Sequence, residues 1–251
     1  MSTPDTDWIA ALCAADTDPN RAVLDGADFD LAGVRAQLDS YTRTDLGDGN
    51  VAWCHPDARL PKISFLLGGS GNIIVWGAQM QSRQPVVVNG HGNRIIVGPT
   101  RRFNARIGVT GDNNLFFSGK GSTCNEANCV LQGTGRSILM GKDCMLSFDV
   151  ALRATDSHAI VDLDALAVIN EPDSILLGAH VWLGEGASVL KGVRIGRGSI
   201  LASRGLAVSD LPARVLAVGA PAKVQRQNVS WTRQPDPDQE AIEALARRYP
   251  D

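Results

Sequence analysis

The chain has 251 residues, which is enough for one large domain or two small ones. Its 24 basic and 27 acidic side chains give a formal net charge of −3, which argues against nucleic-acid binding as its main function. No apolar run approaches the roughly 20 residues of a membrane-spanning helix, and the acidic N-terminal stretch lacks the basic start of a secretory signal. We therefore expect a soluble, cytoplasmic protein without a nucleic-acid partner or a transmembrane segment.

The composition also restricts the core and the chemistry. There are 26 glycines, and aromatic residues make up only 5% of the chain, so small aliphatic residues and tight turns must build the core. The five cysteines contain no C-x-x-C pair and are expected to be buried free thiols. The four histidines are spaced 36, 67 and 22 residues apart, which does not match a zinc ligand set, and we predict no metal site.

Residues 1–60 lack any internal repeat and are acidic. Two stretches within them, Asp5–Ala15 and Asp30–Leu38, are predicted to be helical. Because the repeats that follow would otherwise expose an open strand edge and an apolar interior, we expect residues 1–60 to cap them.

A repeat of 21 residues follows the N-terminal segment. The segments GSGNIIVWG, GHGNRIIVG and GDNNLFFSG align three asparagines at this interval, and GTGRSILMG places Arg136 another 22 residues on. Three hexapeptides make 18 residues, so this interval fits one triangular coil with a few extra residues at a corner. Glycine and asparagine both tolerate a positive φ, which suits corners. The aligned asparagines Asn72, Asn93 and Asn114 are therefore predicted at corner turns.

A shorter repeat of six residues covers Ile175–Asp210. Six is an even number, so these side chains share one face of an extended chain, whereas the helical period of 3.6 does not match it. A strand and a turn every six residues are typical of a parallel β-helix. The apolar positions are Leu177, Leu183, Val189, Ile195, Leu201 and Ala207.

The repeat stops at Leu211-Pro212, so residues 61–210 form the predicted β-helix domain and residues 211–251 a C-terminal loop and helix. The predicted helix has acidic residues at its start and Arg247 and Arg248 at its end, as its dipole favours. Its apolar stripe is expected to pack on the body or on a neighbouring subunit.

Three stretches of the sequence resemble a known family: SFDVALRATDSHAI, VINEPDSILLGAHVWLGEGASVLKGVRIG and LPARVLAVGAPAKVQRQNVSW. They are similar to the hexapeptide-repeat acyltransferases, and most to the branch that O-acetylates bacterial capsules and other surface polysaccharides. The resemblance implies an all-β, left-handed parallel β-helix, a homotrimer, and transfer of acetyl from acetyl-CoA to a glycan hydroxyl. The handedness comes from the resemblance alone, because the periodicity does not give it.

Acyl transfer to a hydroxyl needs a base, and a neutral imidazole suits this role. His158 occupies the position of the family's catalytic histidine, so the resemblance implies that it is the general base. Asp156 is a candidate for orienting His158, and Asn170 matches a family position that lines the acceptor side. The structural alternatives are a histidine in a turn and polar residues that hold their own loop.

Trp182 precedes an inward-facing leucine and should therefore point outward from its strand. Its counterpart in the family lies across the subunit interface, near the catalytic histidine and the donor. We therefore place Trp182 with the catalytic residues, with plain interface packing as the alternative.

The resemblance also implies where the donor binds. The pantetheine arm of acetyl-CoA would follow a groove along Gly184, Ala202 and Ser203, and basic side chains would bind its phosphates. Lys223 and Arg226 are the candidates for the phosphates, with solvated surface charges as their alternative. The sequence departs from the family at Arg204, where a glycine is common.

Three other functions are known for β-helix proteins or are compatible with parts of this sequence. A β-helix carbonic anhydrase would need a zinc ligand set that the histidine spacing does not supply. An N-acetyltransferase acting on an amino sugar or another small amine would use the same base, so it stays open. A non-enzymatic β-helix scaffold would need neither His158 nor Trp182, which makes it the weaker alternative.

Overall fold

The computed structural model of the protein describes residues 28–80 and 82–248, and the helix predicted over Asp5–Ala15 lies outside them. Between the helices α1 (Leu31–Arg35) and α2 (Gln239–Arg248), the described chain consists mainly of short strands. A 3-10 turn, Leu38–Ser40, follows α1. The strands are β1 (Thr42–Gly47), β2 (Asn50–Cys54), β3 (Ile63–Phe65), β4 (Ile73–Met80), β5 (Val86–Asn89), β6 (Arg94–Thr110), β7 (Leu115–Ser118), β8 (Thr123–Gln132), β9 (Ser137–Met140), β10 (Met145–Leu146), β11 (Val150–Arg153), β12 (Val161–Asp162), β13 (Ala167–Val168), β14 (Ile175–Leu177), β15 (Trp182–Leu183), β16 (Ser188–Leu190), β17 (Arg194–Ile195), β18 (Ile200–Leu201), β19 (Leu206–Ala207), β20 (Val215–Val218) and β21 (Lys223–Gln227).

These strands stack in parallel on the three faces of a triangular prism with about seven coils. Face 1 contains β2, β7, β9, β14, β17 and the first parts of β4 and β6. Face 2 contains β10, β15, β18 and β20. Face 3 contains β3, β5, β11, β16 and β19, while β6 and β8 bend from face 2 onto face 3. The predicted parallel β-helix is confirmed.

The interior is built from the six-residue series that the sequence predicted. Leu183 on face 2 lies between Leu146 and Leu201 in the neighbouring coils. Aliphatic side chains stack in the same way along the other two faces, and each contributes about 1.5–3 kcal/mol when it is fully buried. All six predicted positions are at most 1% exposed: Leu177, Leu183, Val189, Ile195, Leu201 and Ala207.

A ladder of buried asparagines connects the N-terminal coils at one corner. Asn93 receives a hydrogen bond from the backbone N–H of Asn114 (2.9 Å), and its own amide donates to Oδ1 of Asn72 (3.0 Å) and to the carbonyl of Gly111 (2.9 Å). The corner location predicted for these residues is therefore correct. Their side chains carry the interaction, whereas glycines such as Gly92 (φ 65°) supply the positive φ. Asn50 also belongs to the ladder.

The N-terminal segment covers both an edge and a side of the prism. β1 runs antiparallel to β2 and shields the edge of the first coil, which is where the sequence predicted a cap. Residues 28–41 then lie against the outside of face 1, where Phe29, Leu31 and Leu38 pack against aromatic and aliphatic side chains of successive coils. The predicted Asp30–Leu38 helix is shorter, because α1 contains Gly33 and gives way to a 3-10 turn.

The C-terminal segment ends the coils with an antiparallel pair, β20 and β21. Helix α2 follows as predicted, and the Asp238 carboxylate caps it by accepting a hydrogen bond from the backbone N–H of Ala241 (2.8 Å). Neither helix of the described residues has the length and apolarity to cross a bilayer. The segment boundaries at residues 60 and 210 stay a prediction.

The ladder predicts a stability effect at Asn93. Replacing Asn93 with alanine leaves the N–H of Asn114 without its buried acceptor, so the free energy of unfolding should fall by about 1–3 kcal/mol. Urea unfolding followed by circular dichroism measures this change. Asn89→Ala, at a half-buried position on the outside of face 3, should change it by less than about 0.5 kcal/mol. Equal effects of the two substitutions would contradict the ladder's role.

Candidate active site

His158 lies on an exposed turn at the corner where face 3 passes into face 1, five residues after the end of β11. The turn is held from below by Thr155, which is 3% exposed. The Thr155 hydroxyl donates to Oε1 of Gln132 (3.2 Å) and accepts from the N–H of Ser157 (2.9 Å). Among the described residues, none is hydrogen-bonded to the His158 imidazole. The ring is therefore presented to solvent by a fixed backbone.

Asn170 fixes the backbone around His158 from the opposite side. Its amide nitrogen donates to the carbonyl of His158 (2.9 Å) and to Oδ2 of Asp156 (2.8 Å), and its Oδ1 accepts from the N–H of Ile160 (2.6 Å). It thereby closes the base of the β12–β13 hairpin. Because these contacts occupy both amide protons, they favour a holding role for Asn170 over the predicted contact with the acceptor.

A lysine that the sequence analysis did not single out completes this brace. The Lys191 ammonium forms an ion pair with the Asp156 carboxylate and donates to the carbonyl of Asn170 (3.0 Å). The hydrogen bonds from Lys191 and Asn170 lower the pKa of Asp156 below its ordinary value. Asp156 is therefore linked to the His158 backbone through Asn170, and its role in orienting His158 stays a prediction. The strand register brings Lys191 to this turn, because Leu190, the residue before it, pairs with Arg153 at the end of β11.

Trp182 is half-buried on the outside of face 2, between Met145 and Ile200 of the neighbouring coils. It therefore points outward, as the strand pattern predicted. His158 follows a strand of face 3, whereas Trp182 lies within a strand of face 2. One chain does not bring these two predicted residues onto the same face.

The predicted donor residues lie along one edge of the prism. Gly184, Ala202 and Ser203 occupy the corner between faces 2 and 3 in successive coils. A Cβ atom at Gly184 would come within 2.5 Å of the Ser203 nitrogen, so the close approach of the coils requires glycine. Arg204, the departure from the family pattern, has φ 58°, which explains why glycine is common there.

The predicted phosphate ligands lie beyond this edge. Lys223 and Arg226 are exposed on β21, which pairs with β20 at the end of face 2. Along this edge, Trp182 and Gly184 are therefore followed by two basic side chains, Lys223 and Arg226. No group of three or more His, Cys, Asp and Glu side chains that could hold a metal ion occurs in the described ranges.

The sequence relatives of the chain are acetyltransferases, although no family model matches it. A polysialic acid O-acetyltransferase of Escherichia coli O1:K1 is 33% identical over 97 residues, which cover 39% of this chain and 32% of that protein. Its counterpart in Neisseria meningitidis is 28% identical over 146 residues, covering 50% of this chain and 68% of that protein. A galactoside O-acetyltransferase of Lactococcus lactis is 42% identical over 53 residues, or 21% of this chain and 26% of that protein.

Two crystal structures share the fold at 22% sequence identity. The polysialic acid O-acetyltransferase OatWY has a TM-score of 0.58, with 74% of this chain and 99% of that chain covered. The polysialic acid specific acetyltransferase NeuO has a TM-score of 0.51, with 80% and 100% covered. The chain therefore has the left-handed parallel β-helix fold of these two proteins, as its motifs predicted, and its homologues include polysialic acid O-acetyltransferases and other acetyltransferases.

Proposed function

We propose that the protein is an acetyl-CoA-dependent O-acetyltransferase that modifies a hydroxyl of a bacterial surface glycan or of its precursor. The observation that carries this proposal is the solvent-facing imidazole of His158 on a turn braced by Asn170 and Thr155. The named activity of the relatives from Escherichia coli and Neisseria meningitidis supports a capsule polysaccharide as the acceptor.

The proposed reaction is direct transfer within a complex of donor and acceptor. The acceptor oxygen attacks the thioester carbonyl while His158 takes its proton, so a C–O bond forms as the C–S bond breaks. The imidazolium then returns the proton to the departing thiolate. Burial raises the pKa of Cys124 and Cys144 to about 12, which argues against these thiols as nucleophiles.

A homotrimer would bring the two halves of this site together. In one chain the base lies at the corner between faces 3 and 1, and Trp182 lies on face 2. A cyclic arrangement of three prisms can place that corner of one subunit beside face 2 of the next. The β12–β13 hairpin beside His158 supports this arrangement, because Leu163 and Leu166 on it are 81% and 83% exposed.

Transfer to an amine stays the alternative, because a primary amine would meet the same base and donor. The exposed His158 and the outward Trp182 favour an enzyme over a scaffold. A cytoplasmic location also belongs to this proposal.

The first prediction concerns the assembly. Light scattering should give a mass three times that of the chain, and Leu163→Asp combined with Leu166→Asp should shift the protein toward monomer, since these leucines would meet a neighbour. Leu67→Asp, at a leucine that is 92% exposed on an N-terminal coil, is the matched control and should leave the mass unchanged. A stable monomer for the parent protein at working concentration would contradict the trimer.

The second prediction concerns the base. His158→Ala should lower kcat by about 10²–10⁴-fold and change the KM for acetyl-CoA little, because the imidazole acts on the acceptor hydroxyl. Thioester cleavage, measured with and without a polysaccharide acceptor, reports both effects.

The control for His158 is His91, which is exposed on an N-terminal coil and is hydrogen-bonded to Ser70. His91→Ala should keep the parental kcat. A folded, normally assembled His158→Ala protein with near-parental turnover would exclude the proposed mechanism. Replacing the hydroxyl acceptor with an amino sugar in the same assay separates O-transfer from N-transfer.

The third prediction concerns the donor. Lys223→Ala should raise the KM for acetyl-CoA by about tenfold at low salt, because a charge-assisted phosphate contact contributes roughly 1–2 kcal/mol, and kcat should change little. Lys120→Ala, at an exposed lysine on the corner between faces 1 and 2, should leave the KM unchanged. An unaltered KM for Lys223→Ala would remove Lys223 from the donor site.

A further inference from the structure

A second buried cluster lies on the other side of Trp182, at the corner between faces 1 and 2. Trp231 of the C-terminal segment is 5% exposed and stacks on the imidazole of His180, with ring centroids 4.1 Å apart and planes inclined by 5°. Its indole nitrogen donates to the carbonyl of His180 (2.8 Å). Residues that are 51 positions apart are therefore joined by both a stack and a hydrogen bond.

His180 returns a second hydrogen bond to the same segment. Its Nε2 lies 2.7 Å from the carbonyl oxygen of Trp231, and its Nδ1 lies 2.9 Å from Oδ2 of Asp143 in the neighbouring coil. A carbonyl and a carboxylate both accept hydrogen bonds, so each ring nitrogen of His180 faces an acceptor. Burial alone would raise the pKa of Asp143, but the His180 hydrogen bond and the nearby positive charges hold it below its ordinary value.

Arg233 closes the cluster. Its guanidinium lies over the Trp231 ring, with Cζ 5.3 Å from the ring centroid. It pairs with Oδ1 of Asp143 (3.2 Å) and donates to the hydroxyl of Thr123 (2.9 Å) and the carbonyl of Cys144 (3.0 Å). Trp231 contacts the coil of His180 directly, and Arg233 links it to the two preceding coils.

Trp231 in turn packs against Trp182. Their ring centroids are 6.0 Å apart, and the planes are inclined by 51°. Trp182 belongs to a strand of two residues and points outward, so its backbone fixes the direction of the side chain while its neighbours select the rotamer. Trp231 is a buried, rigid neighbour of this kind.

We propose that Trp231, clamped by His180, Asp143 and Arg233, is a positioning residue that sets the orientation of Trp182 at the donor end of the active site. The inference rests on the proposed function, because Trp182 acts on the donor only in that reaction. Without Trp231 the Trp182 indole has space to rotate. The ring surface that it presents to the donor is then no longer fixed before the donor binds.

The test compares Trp231→Ala, Trp231→Phe and Trp53→Ala in the full-length protein. Trp231→Ala should lower kcat/KM for acetyl-CoA at least tenfold, and Trp231→Phe, which keeps a ring in the stack, should recover part of it. Trp53 is a buried tryptophan of face 1 that is 7% exposed, so Trp53→Ala loses a comparable side chain away from the site and should keep the parental kcat/KM.

Circular dichroism supplies a readout that does not depend on catalysis. Two indoles at this separation should give a coupled signal in the parent protein, and Trp231→Ala and Trp182→Phe should each abolish it, whereas Trp53→Ala should keep it. Asp143→Asn preserves the shape of the carboxylate but removes its charge, so it should weaken both the signal and kcat/KM. This variant serves as the test if Trp231→Ala does not fold.

Parental kcat/KM in a folded Trp231→Ala protein would overturn the inference, as would an equal loss in Trp53→Ala. An inactive parent would refute the proposed function instead, and the dichroism would then report whether the clamp itself exists. The two failures are therefore distinguishable.

Discussion

The hydrogen-bonded spacing between coils governs this molecule. Parallel strands repeat at about 4.8 Å, so each coil must follow the backbone of the coil beneath it. Aliphatic side chains therefore stack in columns, and Gly184 has no room for a Cβ atom beside Ser203. Residues that depart from this path can be accommodated only at corners. The β12–β13 hairpin and the turn that carries His158 lie at such a corner.

The proposed general base thus lies where the repeat is interrupted, and this interruption has to be stabilised by its own contacts. Side-chain hydrogen bonds among Lys191, Asp156 and Asn170 do this, since no other strand in the described part of the chain pairs with the hairpin. At the corner between faces 1 and 2, the C-terminal segment holds Trp231 by a similar set of charged contacts around Asp143. The surroundings of His158 and of Trp182 are therefore each held by an ion pair on the outside of the apolar core: Lys191–Asp156 beside His158 and Arg233–Asp143 beside Trp231.

Periodicity made the stacked aliphatic side chains of the interior predictable, because residues such as Leu177 and Leu183 occupy equivalent positions in the six-residue repeat. It also located Asn72 and Asn93 at a corner, but did not show that their amides bond to each other. Lys191, His180 and Trp231 could not be identified in this way, since their roles depend on contacts between residues 35 to 51 positions apart. Residues 28–41, which pack over face 1, contain no repeat, so periodicity could not predict their packing either.

The asparagine ladder has a consequence for how such a molecule can change in size. It runs from Asn50 to the N–H of Arg136 and ends before the coil that carries His158. Each step joins only adjacent coils, so the energy of this half is close to a sum of nearest-neighbour terms. Inserting or deleting one whole 21-residue coil there preserves the ladder, and only residues 28–41, which pack across successive coils of face 1, would have to adjust. The height of the prism can therefore vary in evolution while the corner that carries His158 stays as it is.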